Sequence, residues 1–494
     1  MAVSVIPPIS LFPRDPREFL PVKSQPQKLK LNVSVLSNVN EPASGSLRLE
    51  GPDSINIVPA KIDLHIDKYN TSQRAQFSVT IPASASPGTY RLRYAVCIGN
   101  REYDVIHKPV RLGMPGLPGA PDENNCVREE FITKPAKVNL CLFDVKFLRK
   151  KKYAYIIGMD ENIVKSLKNF ELDFHILTDE VMGYAELIEF DAVIVGPNAY
   201  LIRDSLRKNA GRFLEYVANG GTLIVQFQGF GYEGKWFAPY TFRYNRPHDR
   251  VTHEDAPVTI LNPRHHLFNL PNRIGNADFK DWVKDRGLYF FGEWDKRYTP
   301  LLSCNDPGET AKQGGLLMAS YGQGTYLYTG YSFFYQIPAG VAGAFRLFAN
   351  ILALPAARIL IRAEFIKSIP LFSFMSKDDL QEVAGIIEDQ LVADGDYLCH
   401  DGELSNQMYI IVDGKVEIIK ETDGQRRIIA VYQKGEIIGE MAVLGNMTRS
   451  ASMIAKGDVL LYVIDGALFK SLMHKHPAMS DKVIKMLVQK LAAQ

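Results

Sequence analysis

The sequence predicts a multidomain chain: an all-β, immunoglobulin-like sandwich, then an α/β domain on a parallel sheet, then a C-terminal β-rich domain flanked by helices. Three observations predict it. Apolar residues recur at period two through roughly the first 100 residues. Short apolar strands then alternate with helical spacing from 153 to 227. Last come a capped helix, a run of strands with Asp-Gly dipeptides, and two closing helices. At about 150 residues per domain, 494 residues accommodate three.

In the first domain, 1–112, Leu29, Leu31, Val33 and Val35 alternate with polar residues, as do Phe77, Val79 and Ile81, and Tyr90, Leu92, Tyr94 and Val96. Pro87-Gly88 marks the turn before the last strand. Several such strands in about 100 residues favour a sandwich. Residues 113–136 contain Pro-Gly-Leu-Pro-Gly-Ala-Pro-Asp and read as a linker. The second domain, 137–355, has strands at 153–157, 174–177, 191–195 and 222–227. Helical spacing occurs at Ile163, Val164 and Leu167 and again over 207–218, with Gly220-Gly221 as the stop. A connector, 356–375, carries Arg358, Arg362, Glu364 and Lys367 among apolar residues and suits an amphipathic helix. In the third domain, 376–494, Ser376 and Asp379 cap a helix whose face is Leu380, Val383, Ala384 and Ile387. Asp413-Gly414 and Asp423-Gly424 read as hairpin turns, and helices near 466–475 and 479–491 end the chain.

Composition excludes some classes. Hydrophobic content of 46% and charged content of 23% are ordinary for a globular protein, and a net charge of +2 makes no case for nucleic acid. No apolar run approaches the ~20 residues that cross a bilayer. The first residues lack the basic start and apolar core of a secretory signal. Five scattered cysteines without Cys-x-x-Cys suit a reducing cytoplasm and offer neither a disulfide framework nor a zinc site.

The stretch 439–451, Gly-Glu-Met-Ala-Val-Leu-Gly-Asn-Met-Thr-Arg-Ser-Ala, concentrates groups that hold a phosphate and a sugar. Gly439 permits a tight turn. Residues 440–444, including Met441 and Ala442, suit one helical turn whose free N–H groups face an anion. Glu440 can accept from a sugar hydroxyl. Arg449 supplies a planar fork for phosphate oxygens and Ser450 a hydroxyl. This stretch closely resembles the phosphate-binding cassette of cyclic-nucleotide-binding domains, the family of the catabolite activator and the kinase regulatory subunits. The resemblance extends over about 364–494. It includes Ile369-Pro370-Leu371-Phe372 before the first helix and Gly395, Gly402 and Gly414 at the turns of the family's β-roll. It implies cyclic AMP or cyclic GMP as ligand, with Glu440 on the ribose 2′-hydroxyl and Arg449 on the cyclic phosphate. Ser450 and the N–H groups of Ala442 and Ala451 complete the set. Base selectivity is unassigned. No helix-turn-helix follows the cassette, so DNA is not the expected partner.

Residues 1–355 resemble the non-catalytic C-terminal part of large bacterial PIG-L-type (LmbE-like) deacetylases, through 237–240, 250–258, 272–275, 286–290 and 338–341. The resemblance implies a β-sandwich joined to a class I glutamine-amidotransferase-like, flavodoxin-like domain. The deacetylase His-Pro-Asp-Asp zinc motif is absent, and neither Cys141 nor Cys304 lies in a Gly-x-Cys-x-Gly elbow. No catalytic residue, metal site or cofactor is therefore expected. His248, His253, Glu254, Asp255, His265 and His266 lack a metal-binding spacing and read as loop residues. The aromatic residues between 236 and 294 read as packing or as a surface for a carbohydrate or protein partner. The expectation is a bacterial, cytoplasmic, cyclic-nucleotide-binding regulatory protein with no membrane segment. The alternatives are a nucleotide-regulated hydrolase or a sugar-binding accessory protein.

Overall fold

The computed structural model describes residues 6–112, 128–148, 150–233, 236–422 and 425–492. Two compact units emerge: Met1–Lys146 with Asn162–Leu172 and Gln336–Arg346, and Phe147–Glu161 with Asp173–Tyr335 and Leu347–Gln494.

In the first unit the period-two segments form strands, because residues i and i+2 share one face. One sheet runs Ile9–Pro13, Gln27–Ser37, Ser72–Ile81, Asn56–Val58. The other runs Arg17–Pro21, Lys137–Phe143, Gly88–Ile98, Ala43–Glu50, Ile62–Ile66, with Arg101–Tyr103 on Gly88–Ile98. Leu31, Val35 and Phe77 from the first sheet and Leu47, Tyr94 and Leu140 from the second share one core. Two expectations shift. Of the expected linker, 113–127 lie outside the described residues, while Arg128–Pro135 is a strand antiparallel to Val105–Leu112. Residues 137–143, expected in the α/β domain, instead pair with Arg17–Pro21 and Gly88–Ile98. Leu140, Cys141, Leu142 and Phe143 are all buried, which suits an interior strand covered on both faces. Glu18, buried in this unit, accepts from Lys168 Nζ and Asn169 Nδ2, both at 2.9 Å.

The second unit contains a seven-stranded sheet: Asp173–Ile176, Lys152–Ile156, Ala192–Val195, Thr222–Gln226, Gly324–Thr329, Leu316–Tyr321, Thr299–Pro300. The first five strands are parallel; Leu316–Tyr321 runs antiparallel to its neighbour Gly324–Thr329, and Thr299–Pro300 antiparallel to Leu316–Tyr321. Ala192–Val195 and Thr222–Gln226 are buried throughout, hence their unbroken apolar character. The helix expected over 207–218 divides into Asp204–Lys208 and Ala210–Ala218. Asn209 sits at the break, its Nδ2 donating to Ser205 O at 2.8 Å, a side-chain bond that competes with the helical ladder.

The connector is the helix Leu354–Ser368. Arg358 donates to Gly220 O and Gln323 O beside the parallel sheet. One turn on, buried Arg362 donates to Ala384 O and Ile387 O and pairs with Asp389 at 2.5 Å. Ala363 and Ile366 pack with Leu380, Val383, Ile464 and Phe469. Among the described residues no single helix is long and apolar enough to cross a membrane.

Ser376 Oγ accepts from Asp379 N and donates to its carboxylate, starting the helix Lys377–Ile386. A β-roll follows, with Ser452–Asp465 between Glu388–Val392 and Gln407–Thr422, and Gln425–Gln433 beyond. The helices Gly466–Lys475 and Pro477–Ala492 close it. Asp413-Gly414 is not a hairpin turn. Gln407–Thr422 runs through it as one strand, with register shifts against Ser452–Asp465 on both sides of Asp413. Gly414 holds φ 88, and a Cβ there would strike the backbone of Asp458 and Val459. The dipeptide supplies a bulge that bends the long strand. Asp423-Gly424 lies outside the described residues, and Thr422 pairs with Gln425 across it.

Gly414→Ala is therefore expected to weaken this strand by roughly 1–3 kcal/mol. Gly395→Ala, at φ 82 but with open space around it, should lose only the left-handed penalty of roughly 1–2 kcal/mol. Hydrogen exchange of the amides in Gln407–Thr422 reads both. Gly414→Ala should lose more than Gly395→Ala, because its Cβ adds a backbone clash to the same left-handed penalty; a loss no larger would contradict the bulge.

Candidate functional site

The Arg449 guanidinium is gripped from three segments, one of them the predicted cassette through Gly439. The antiparallel pairing of Tyr409 with Ile438 brings 437–438 onto the long strand. Gly439 then turns the chain at φ 82, and the helix Glu440–Gly445 begins. Asn446, at φ 50, ends it, and Met447 N donates to Ala442 O at 3.1 Å. Arg449 points inward and is only 2% exposed. Its Nη1 donates to Gly439 O at 3.0 Å, and its Nη2 to Gln407 O at 2.6 Å and Ser405 Oγ at 2.8 Å. Its backbone is fastened as well: Arg449 N donates to Glu403 O and Gly402 N to Arg449 O. The loop 400–405 is thus built against the cassette.

Electrostatically this arrangement is unusual. Among the described residues no carboxylate lies within ion-pair distance of Arg449, and its Nε is buried without a hydrogen-bond partner. A buried cation without a counter-charge carries a desolvation penalty that an incoming anion relieves. Glu440, on the first turn of the helix, is also 2% exposed. The Tyr432 hydroxyl is pushed up chiefly by burial and further by Glu440 and Glu436. Burial likewise raises Tyr409 and Cys399, with Arg449 opposing both shifts. Of the other predicted residues, Ala442 and Ala451 are buried, Met441 and Gly439 are half-buried, and Ser450 is exposed at the surface. Ser450 O accepts from Lys420 Nζ at 3.2 Å.

Sequence reasoning missed Ser405 and Gln407. They lie 44 and 42 residues from Arg449, and no linear spacing announces them. It also missed a turn in the parallel sheet. After Ala192–Val195, Asn198 adopts φ 53 immediately before the helix Ala199–Ile202. Gly196 is forced there by close approach to Gly158 N and Ile156 O. Nucleophile elbows place their serine or cysteine on such a strand-to-helix turn. Here the position holds a carboxamide, with Oδ1 accepting from Gly229 N at 2.7 Å and Nδ2 3.0 Å from Met159 Sδ. The signal was the run of strand residues followed by Gly-Pro-Asn.

The two cysteines weighed as nucleophiles are buried. Burial raises the Cys141 thiol and lifts Cys304 to about 11. The histidine-rich stretch serves the loops. Asp306 accepts from the backbone of Thr252 and His253, and Glu254 from Lys284 N. His265 caps a 3-10 turn by accepting from Leu267 N, and burial lowers both it and His266 to about 4. Among the described residues no three His, Cys, Asp or Glu side chains gather as metal ligands.

A Cβ on residue 439 would press into Arg449 Nη1 while the backbone sits at a left-handed φ. Gly439→Ala is therefore expected to cost the C-terminal domain roughly 1–3 kcal/mol. Its calorimetric transition should fall by about 4–8 °C per kcal/mol lost. An unchanged transition would mean that the contact between Gly439 and Arg449 is not a constraint.

Comparison with known proteins fits this geometry. A family model, the cyclic nucleotide-binding domain, matches residues 390–476. Human cGMP-dependent protein kinase 2 is 34% identical over 108 residues, covering 21% of this chain and 14% of the kinase. Lysophospholipase nte1 of Aspergillus terreus is 32% identical over 98 residues, covering 20% of this chain and 6% of its own. This chain therefore spans only a small part of the curated relatives it matches. Among solved structures, the regulatory domain of Toxoplasma gondii PKA with cAMP shares 24% identity at a TM-score of 0.26, covering 30% of this chain and 56% of its own. The Thermus thermophilus catabolite activator protein shares 26% at a TM-score of 0.24, covering 25% and 59%. On the family match, residues 390–476 are a cyclic nucleotide-binding domain.

Proposed function

We propose that this chain is a regulatory sensor in which a 3′,5′-cyclic nucleotide, cyclic AMP or cyclic GMP, binds the 439–451 cassette and controls the preceding domains. The observation that carries this reading is Arg449, a buried guanidinium held in place by three oxygens yet lacking a counter-charge. A cyclic phosphate supplies that charge with bidentate geometry. Glu440 takes the ribose 2′-hydroxyl, and Ser450 with the N–H groups of Ala442 and Ala451 takes the remaining oxygens.

The proposed output is the protein body, not DNA. The helix Leu354–Ser368 supports this, because Arg358 holds carbonyls beside the parallel sheet while Arg362 holds carbonyls of the nucleotide domain. A ligand shifts such a contact only if it binds the two arrangements unequally. In this reading the α/β domain is flavodoxin-like and non-catalytic. Its parallel strands run 2-1-3-4-5 in chain order, and the elbow position holds Asn198. The sandwich is read as immunoglobulin-like and the protein as cytoplasmic. The described cysteines, Cys97, Cys141, Cys304 and Cys399, are all free thiols.

Titration calorimetry with cyclic AMP and cyclic GMP on the whole chain tests the binding. Saturable heat with at least one is expected. Arg449→Ala should weaken it by roughly 2–5 kcal/mol, the cost of removing one side of a buried charge pair. No heat from either nucleotide would overturn the reading. Control of the body is tested separately by hydrogen exchange with and without the nucleotide that binds. Altered protection is expected in Leu354–Ser368 and near Gly220 and Gln323. Changes confined to 395–455 would show a domain that binds without regulating.

A further inference from the structure

A groove of about 1250 Å³ opens in the second unit, beside the Phe242–Arg243 and Glu293–Trp294 pair. It exceeds the ~300–1,000 Å³ of ordinary small-molecule pockets. Six of its lining residues are aromatic; Phe242 and Tyr244 are buried, while Trp236, Tyr240, Trp294 and Tyr321 keep part of their surface open to it. Trp236 is 74% exposed and holds φ 90, a conformation a bulky side chain adopts only under constraint. Core packing does not account for a tryptophan so exposed.

Between the rings stand charges that cancel. Arg246 pairs with Glu233 at 2.5 Å, and Arg297 grips both oxygens of Asp295 at 2.8 Å. Arg243 faces Glu293 across the two strands. Arg297 also stacks 3.7 Å over the Tyr240 ring, so guanidinium, carboxylate and ring form one rigid set. Arg297 holds the Asp295 carboxyl well below the usual range, so it stays an acceptor. Three cations and three anions line the groove, which disfavours a strongly charged ligand.

We propose that this groove binds a neutral oligosaccharide. A sugar ring has an apolar C–H face that stacks on exposed aromatic rings. Its rim of vicinal hydroxyls matches planar bidentate groups such as carboxylates and guanidinium forks. The groove departs from the nucleotide site in both chemistry and residues, and the proposal stands or falls independently of it.

The test uses the full-length chain and intrinsic tryptophan fluorescence. Of its three tryptophans Trp282 is buried, so Trp236 and Trp294 report on the groove. The probes are maltotriose, cellotriose and N,N′,N″-triacetylchitotriose at about 10 mM, above the ~1 mM dissociation constant of a weak site. At least one should change the emission saturably, with matching heat by calorimetry. Trp236→Ala should weaken that binding at least tenfold, about 1.4 kcal/mol. Because Trp236 is exposed, the variant should keep the wild-type melting temperature. Absence of a saturable response to all three probes would overturn the proposal. So would undiminished binding in a Trp236→Ala, Trp294→Ala double variant, or a response only to a sulfated trisaccharide.

Discussion

A buried guanidinium organises the nucleotide domain. Arg449 cannot lose its charge in a protein and is nearly removed from solvent, so its donors must be met from within. Three segments meet Nη1 and Nη2, while Nε stays without a partner: the turn at Gly439, the long strand at Gln407 and the loop at Ser405. The cassette, the β-roll strand and the 400–405 loop are therefore fixed relative to one another before any ligand arrives. An anion entering such a site finds its donor already ordered, which reduces the entropy lost on binding. Gly439 belongs to the same constraint, since only a residue without Cβ leaves room for Nη1.

The same chemistry recurs in the connecting helix. Arg358 and Arg362 each satisfy backbone carbonyls, Arg358 at the ends of Gly220 and Gln323 and Arg362 at the end of the Lys377–Ile386 helix. Burial lowers Arg358, with Arg362 nearby adding to the effect. Two cations one turn apart on one helix repel, and each is held by carbonyl oxygens on its own side. This gives a polar, directional joint between the sheet and the nucleotide domain where an apolar contact would be free to slide.

In the parallel sheet, the turn into the helix Ala199–Ile202 is fastened by an amide. Asn198 has a left-handed backbone there, and its side chain is fastened to Gly229. Elsewhere in the same unit Asp306 and Glu254 anchor loops, and His265 caps a turn. The same unit carries the aromatic and ion-paired groove. Its six charged side chains are balanced, and one tryptophan stands out in solvent.

What the sequence by itself determined was local. Period-two alternation specified Gln27–Ser37, Ser72–Ile81 and Gly88–Ile98, and the Ser376–Asp379 cap specified the helix after it, because these patterns depend on neighbours a few residues away. The cassette was legible for the same reason: Gly439, Glu440 and Arg449 lie within one short segment. Tertiary structure decided the rest. Asp413-Gly414 became a bulge because Ser452–Asp465 pairs with the strand on both sides of it, a contact invisible to a turn dipeptide. Lys137–Phe143 joined the first unit because Arg17–Pro21 and Gly88–Ile98 left a place between them. Ser405 and Gln407 reached Arg449, and Trp236, Tyr240 and Trp294 reached one groove, only through long-range pairing. Burial and hydrogen-bond satisfaction are settled by the whole fold, whereas propensity and capping are settled within a few residues along the chain.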